Sequence, residues 1–161
     1  MKQQDILLIH GTWGHGYEWD NFGSELTKRG YRVHAPSWRA HGHPREIDIW
    51  GTAEEVSQLG LLDFVDDFVH LVNTMDTPPI IVGHSAGGLL AQLVAARARH
   101  SGIALLAPAP GAGIFAFYPS ALQLWGQFVP HWALGTPMYP VKKDKWEKYI
   151  CNTTPHELSD Q

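Results

Sequence analysis

The sequence lacks three features that would each assign it to a class of protein. It has 12 Lys and Arg against 16 Asp and Glu, and the net charge of −4 with no basic stripe argues against a nucleic-acid partner. No apolar run is long enough for a membrane span or a signal peptide. A single cysteine, Cys151, excludes an internal disulfide. We therefore expect a cytoplasmic globular protein that binds neither nucleic acid nor membrane.

Strand and helix signals alternate along the first two thirds of the chain. Four short runs are typical of the strands of a buried sheet: Ile6–Ile9, Tyr31–Ala35, Pro79–Val82 and Ile103–Ala107. Helical patterns lie between them, over 19–28, 53–75 and 86–100. In the second of these helical segments one apolar stripe is formed by Leu62, Val65, Val69 and Val72. This alternation predicts an α/β fold, with a parallel sheet, right-handed crossovers and helices on both faces.

The composition changes after Ala107. The rest of the chain holds seven of the eleven prolines and half of the aromatic residues, and no further strand pattern. We predict a boundary near residue 112, with a core over 1–112 and short helices near 119–129 and 142–151 beyond it. Thr154–Glu157 is a capping box that starts a new helix, and the last residue, Gln161, lies within two turns of that start. We therefore expect the fold to be incomplete at its C-terminus.

The pentapeptide Gly83-His84-Ser85-Ala86-Gly87 is a G-x-S-x-G motif between a predicted strand and a predicted helix. That context favours a nucleophile elbow, in which the serine projects from a sharp turn and glycines let the backbone pass. The helix behind Ser85 directs its N-terminal amides at the point where an oxyanion would form. A chance match in a structural turn is the alternative.

A second motif, His10-Gly11-Thr12-Trp13-Gly14, follows the first strand. The carboxyl ends of parallel strands border the ligand crevice, so this loop should lie beside the elbow. The backbone amides of Thr12 and Ala86 are the candidate oxyanion donors, and the Trp13 amide is a rival to that of Thr12. The alternative is a glycine turn with no catalytic role.

The two motifs together resemble the α/β-hydrolase superfamily, in particular its esterase and hydroxynitrile-lyase-like branch. The similarity extends to the loop over 35–42, where Ser37 replaces an aspartate frequent in the family, and to Leu105–Pro108. The resemblance implies that 113–161 begins a helical cap. It also implies two further strands, followed by the triad acid and histidine, beyond Gln161.

The remaining polar and aromatic residues have simpler interpretations. We expect His10 to brace the oxyanion loop, and His84 to be a packed structural residue. His41 and His43 lack a third ligand at metal-site spacing, so neither a metal nor a cofactor is predicted. Four aromatic residues could line an acyl pocket or form the core of the cap: Trp125, Phe128, Trp132 and Tyr139. Trp13, Trp125 and Phe128 are the substrate-pocket candidates.

We expect a serine hydrolase of the carboxylesterase type that acts on a small, mostly apolar ester. Ser85 is the nucleophile, and the acid and the histidine are expected outside this chain. The alternatives are a lyase or C–C bond hydrolase on the same scaffold, and a catalytically silent subunit or binding module of a split hydrolase. The partner is either a second copy or a missing C-terminal half.

Overall fold

Four parallel strands form one sheet with the order β2-β1-β3-β4. The computed structural model describes residues 2–42, 49–114 and 119–139. The strands are β1 (Asp5–Ile9), β2 (Arg32–His34), β3 (Ile80–His84) and β4 (Gly102–Leu106). Register is continuous across the centre of the sheet, where Leu7 lies between His34 and Ile81. The predicted α/β fold with a parallel sheet is confirmed.

Helices connect the strands and cover both faces of the sheet. They are α1 (Asp20–Lys28), α2 (Ile49–Ser57), α3 (Leu61–Thr74), α4 (Ala86–Ala95), α5 (Pro119–Trp125) and α6 (Val129–Leu134). Two short 3-10 helices, Gly16–Trp19 and Gly126–Phe128, precede α1 and α6. Among the described residues, no helix is long and apolar enough to cross a membrane.

The alternation of side chains along β1 divides the core between the two faces. Leu7 and Ile9 pack on one face with residues of α3 and α4, including Phe68 and Leu90. Ile6 and Leu8 pack on the other face, against Val82, Trp19, Leu26 and Val33. All five β1 residues are buried, so this strand is the centre of both cores.

The helical segment predicted over 53–75 is divided. Gly60 lies between α2 and α3 with an extended backbone, and its N–H donates to the Asp63 carboxylate at 2.7 Å, which caps α3. The stripe is also shifted, since Leu62 is 56% exposed while Phe64 and Phe68 are buried with Val65. The prediction of Leu62 as a core residue was wrong because the helix starts later and is rotated.

Strand β4 forms one edge of the sheet. It pairs with β3 along its whole length, but within the described chain no strand pairs with its other edge. Ile103, Leu105 and Leu106 are 42%, 37% and 43% exposed. Side chains of successive strand residues face opposite sides, so β4 presents apolar surface on both faces of the sheet.

The segment after the core begins as predicted. α5 and α6 fall within and just beyond the helix expected near 119–129, and Gly135, which has φ +63°, caps the C-terminus of α6. The second predicted helix, near 142–151, and the capping box at Thr154–Glu157 lie outside the described residues, as does His43. The division at residue 112 and the cap over 113–161 stay predictions.

A buried carboxylate ties the amino-terminal ends of the central strands together. Asp5 is fully buried and accepts hydrogen bonds from the Arg32 guanidinium at 2.6 and 2.9 Å, from His34 Nε2 at 2.8 Å, and from the Thr77 hydroxyl and N–H at 2.6 and 3.1 Å. These donors, led by Arg32, hold the pKa of Asp5 well below its usual range. The network connects β1, β2 and the segment before β3.

We expect Asp5→Asn to lower the free energy of unfolding by about 3 kcal/mol, because a buried neutral amide would replace the carboxylate that accepts hydrogen bonds from Arg32, His34 and Thr77. Asp76→Asn is the matched control. The Asp76 carboxylate binds the same guanidinium at 3.2 Å but is 62% exposed, and its loss should cost less than about 1 kcal/mol. Urea unfolding at neutral pH measures both. Equal effects of the two substitutions would contradict the role given to Asp5.

Candidate active site

The candidate site lies at the edge of the sheet where the parallel strands have their carboxyl ends. β1 leads there into the loop over 10–15, and β3 leads into Ser85. β4 ends at the same edge, beside Ser85. The topology therefore brings the two sequence motifs together, as predicted from a parallel sheet.

Ser85 occupies a strained turn between β3 and α4. Its backbone has φ +54° and ψ −123°, a region that costs a residue with a side chain of order 1–2 kcal/mol. Hydrogen bonds on both sides stabilise this conformation. Ser85 N–H donates to Leu106 O at 3.0 Å, and Ser85 O accepts from Gly88 N–H at 2.9 Å and Ala109 N–H at 2.7 Å. The loop after β4 thus holds the elbow, a role that the sequence pattern did not indicate.

Glycine at positions 83 and 87 is required by close backbone contact. A Cβ at Gly87 would lie 2.1 Å from His10 O, and a Cβ at Gly83 would lie 2.2 Å from Gly87 O. Such separations are impossible, so the first turn of α4 sits on the ends of β1 and β3 only because these side chains are absent. Gly88 instead faces Pro108, since a Cβ added at Gly88 would lie 2.7 Å from Pro108 Cβ.

The loop after β1 forms a tight turn beside the elbow. Gly14 N–H donates to Gly11 O at 3.1 Å, and Trp13, at the third position of the turn, has φ +61°. Thr12 is not among the residues with positive φ, so the turn has the φ pattern of type II, with positive φ at the third position alone. Gly11 faces Ser85, since a Cβ added there would be 3.1 Å from Ser85 Cβ.

Two backbone amides of the site have no partner in the described chain. Neither Thr12 N–H nor Ala86 N–H donates a hydrogen bond there. Both residues are half-buried, and Ala86 is the first residue of α4, whose N-terminus carries partial positive charge. These are the two amides that the sequence analysis selected as oxyanion donors.

His10 braces the loop from behind. Its Nδ1 lies 2.8 Å from Gly11 O, and its Nε2 lies 3.1 Å from the Trp38 backbone nitrogen. Only the neutral tautomer protonated on Nδ1 satisfies both contacts, because the Trp38 N–H needs an acceptor. The imidazole is buried, and desolvation lowers the pKa of His10 to about 4. The Trp38 ring stacks on it, with centroids 5.0 Å apart.

Two polar residues of the site were misjudged or missed. His84 was predicted to be packed in the sheet, yet it is exposed, and its Nδ1 would be 3.5 Å from a Cβ on Gly11. Glu18 was not singled out at all. Its carboxylate lies over Gly14, and desolvation raises its pKa. No motif indicates Glu18, because only the fold of the 3-10 helix brings it back onto the loop.

The three residues predicted to line a substrate pocket contact one another. The Trp13 ring is stacked on Trp125, with centroids 5.5 Å apart and planes 16° apart, and lies 5.3 Å from Phe128. Trp125 and Phe128 are 6.0 Å apart. The segment after the core therefore reaches the loop after β1. The Trp132 side chain lies outside the described residues.

The described residues supply no base for Ser85. None of their side chains accepts a hydrogen bond from its hydroxyl, and His131 instead bonds to Thr136 within the segment after the core. In the described part of the chain, no three His, Cys, Asp or Glu side chains converge as metal ligands. His41 packs against the rings of His10 and Phe64, and desolvation lowers its pKa.

Comparison with known proteins identifies a family. A sequence model described as the alpha/beta hydrolase family matches residues 6–158. A pyrethroid hydrolase of Sphingobium wenxiniae is 31% identical over 88 residues, which are 55% of this chain and 29% of that protein. The lipase LipV of Mycobacterium tuberculosis is 34% identical over 91 residues, which are 56% of this chain and 31% of that protein.

A solved extracellular alpha/beta-hydrolase from a Paenibacillus species shares the fold. Its TM-score is 0.74 at 23% identity, and the match covers 98% of this chain and 63% of that one. The matched segments thus make up less than a third of each curated relative and under two thirds of this solved structure.

We expect the buried neutral His10 to make folding stability depend on pH. The unfolded histidine, with a pKa of 6.5, binds a proton more readily than the folded one, with a pKa of about 4. The contribution of neutral His10 to stability is therefore fully present above about pH 6.5. The free energy of unfolding then falls by about 3 kcal/mol as the pH decreases to about 4. Urea unfolding measured over this pH range should show the slope of the free energy of unfolding against pH.

His10→Asn should reduce the slope, since the titrating group is gone. His70→Asn, at an exposed position of α3, is the matched control for the substitution. A His10→Asn variant with the parent slope would show that other groups set the pH dependence.

Proposed function

The chain belongs to the alpha/beta hydrolase family, and from that premise we propose that it acts as a serine hydrolase of the carboxylesterase type through Ser85. The observation that carries the proposal is the backbone of Ser85, held at φ +54° on a strand-to-helix turn next to two unpartnered amides. A strained serine in this position presents its hydroxyl to a ligand, and strain of this kind concentrates at functional sites.

In the proposed reaction the Ser85 hydroxyl gives its proton to a base and attacks the acyl carbon of an ester. The ester C–O bond then breaks, the alcohol leaves with that proton, and water hydrolyses the acyl-enzyme. The negative charge that develops on the carbonyl oxygen is stabilised by the amides of Thr12 and Ala86. The Trp13 amide is the alternative donor on the loop side. Because these groups are fixed backbone donors, they need no reorganisation when the charge appears.

The serine needs a base within hydrogen-bond reach to become a useful nucleophile at neutral pH. We propose that a histidine and its acid partner come from a segment that covers the free edge of β4. This strand ends beside Ser85 and leaves Ile103 and Leu105 exposed, so a strand added there would bury apolar surface and extend the sheet toward the nucleophile. A second copy of this chain is the other candidate to cover the edge of β4.

An ester is the proposed substrate class. The names of the relatives, a lipase and a pyrethroid hydrolase, support a hydrolase of this kind. Trp13 is on the loop that borders Ser85, and the rings of Trp125 and Phe128 pack against it. This apolar surface beside Ser85 favours a mostly apolar ligand. No cofactor is proposed. The cytoplasmic location stays a prediction, because one structural relative is described as extracellular.

One observation favours a second candidate. No base contacts Ser85 among the described residues, which is what a catalytically silent subunit or binding module would present. A lyase or a C–C bond hydrolase on the same scaffold stays a further alternative. Labelling by a fluorophosphonate probe distinguishes a reactive Ser85 from an unreactive one.

In the assembled, active protein we expect a fluorophosphonate probe to label Ser85 and no other residue. Ser85→Ala should abolish labelling and lower ester turnover by at least about 10³-fold, because the nucleophile is gone. Ser24→Ala, an exposed serine on α1, is the matched control and should change neither. Peptide mass spectrometry identifies the labelled residue. Labelling that persists in Ser85→Ala would refute the assignment, and no labelling of the parent would favour the silent subunit.

We expect the Thr12 backbone to matter more than its side chain. Thr12→Ala keeps the N–H and should change kcat little, whereas Thr12→Pro removes the donor and should lower kcat by about 10²–10³-fold. Proline is favoured at the second position of a type II turn, so the loop should tolerate it. Circular dichroism checks the fold. Normal turnover in a folded Thr12→Pro variant would move the role to Trp13 or refute the oxyanion site.

A further inference from the structure

Trp13 adopts a backbone conformation that its own side chain opposes. It occupies the third position of the turn from Gly11 to Gly14 with φ +61°. Type II turns place glycine at this position, because a Cβ there meets the neighbouring carbonyl. A tryptophan persists in such a conformation only where contacts elsewhere hold it.

Two ring contacts of Trp13 come from a distant part of the chain. Trp125, the last residue of α5, stacks on the Trp13 ring nearly in parallel, and Phe128 packs against the same ring at an inclined angle. Phe128 is buried, and Trp125 is 42% exposed. The three rings form one cluster, which we call the aromatic clamp. Ring pairs at these separations attract one another beyond the apolar area that they bury.

The clamp acts on the same turn that carries the proposed oxyanion donor. The Thr12 and Trp13 peptide groups lie within this turn, and Gly11, which begins it, is beside Ser85. If the Trp13 ring were released, the strain would favour another turn type, and the peptide planes would rotate. The direction of the amides therefore depends on whether Trp125 and Phe128 are in place.

We infer that Trp125 and Phe128 are positioning residues, which hold the oxyanion loop in its working conformation through Trp13. This inference rests on the proposed function of Ser85 and gives these two residues a role other than contact with substrate. Loss of the clamp should lower the rate of acyl transfer for every ester alike. A residue that binds the acyl group would instead change KM, and by more for a longer acyl chain.

The test is steady-state turnover of p-nitrophenyl acetate and p-nitrophenyl hexanoate by the assembled, active protein. We expect Trp125→Ala to lower kcat by about tenfold for both esters, which equals about 1.4 kcal/mol, with KM little changed. Trp125→Phe keeps an aromatic ring and should recover most of the loss. Leu134→Ala is the control, because Leu134 is 76% exposed on α6 and outside the clamp.

A double-mutant comparison tests whether the lower kcat of Trp125→Ala depends on Trp13. Trp13→Gly removes both the ring and the strain, since glycine suits the third position of the turn. In a Trp13→Gly background, Trp125→Ala should therefore have no further effect on kcat. Additive losses would show that Trp125 acts on substrate or on another part of the site.

Far-ultraviolet circular dichroism gives a readout that does not depend on activity. Two stacked indoles should produce a coupled pair of bands that Trp125→Phe and Trp13→Gly each remove, while Leu134→Ala keeps it. A KM increase confined to the hexanoate ester, or unchanged kinetics in Trp125→Ala, would overturn the inference while leaving Ser85 as the nucleophile. Absence of both turnover and Ser85 labelling in the parent would overturn the proposed function instead, and the inference with it.

Discussion

The contact between the first turn of α4 and the ends of two strands is the constraint on which the site depends. At Gly87 and Gly83 the backbones approach so closely that a single added carbon would lie 2.1–2.2 Å from a carbonyl oxygen. This contact fixes the height of α4 over the sheet and forces Ser85 into positive φ. Since His10 O is one of the atoms touched, the same contact brings the loop after β1 beside the elbow.

The site is built mainly from backbone, and its side chains serve to fix that backbone. His10 acts in its neutral form, with one ring nitrogen on Gly11 O and the other on the Trp38 amide. Burial keeps it neutral at physiological pH, so the brace adds no charge to the loop beside Ser85. Ala109 and Leu106 hold the other side of the elbow through main-chain hydrogen bonds alone. Fixed dipoles of this kind suit charge stabilisation because they are oriented before the reaction.

The sequence was sufficient for features that depend on neighbours along the chain. The strands could be predicted from apolar runs and the elbow from glycines flanking Ser85, because each reflects a local steric or burial requirement. Features that depend on residues distant along the chain could not be predicted in this way. The exposure of Leu62 depends on how α3 is rotated, and the stacking of Trp13 on Trp125 joins segments that no motif relates.

Stability and strain lie at opposite ends of the same strands. At the amino-terminal end of β1, Asp5 is saturated with hydrogen bonds that link three segments, while the carboxyl end carries positive φ at Ser85 and Trp13. A strained turn returns to an ordinary conformation unless its anchors are rigid, and a fully buried central strand is such an anchor. On the loop side, however, part of the anchor is the aromatic clamp, which is attached to the segment after the core and not to the sheet. The two halves of the site therefore differ in what holds them. The conformation of the elbow depends on the sheet, whereas that of the loop after β1 depends also on the helices that carry Trp125 and Phe128.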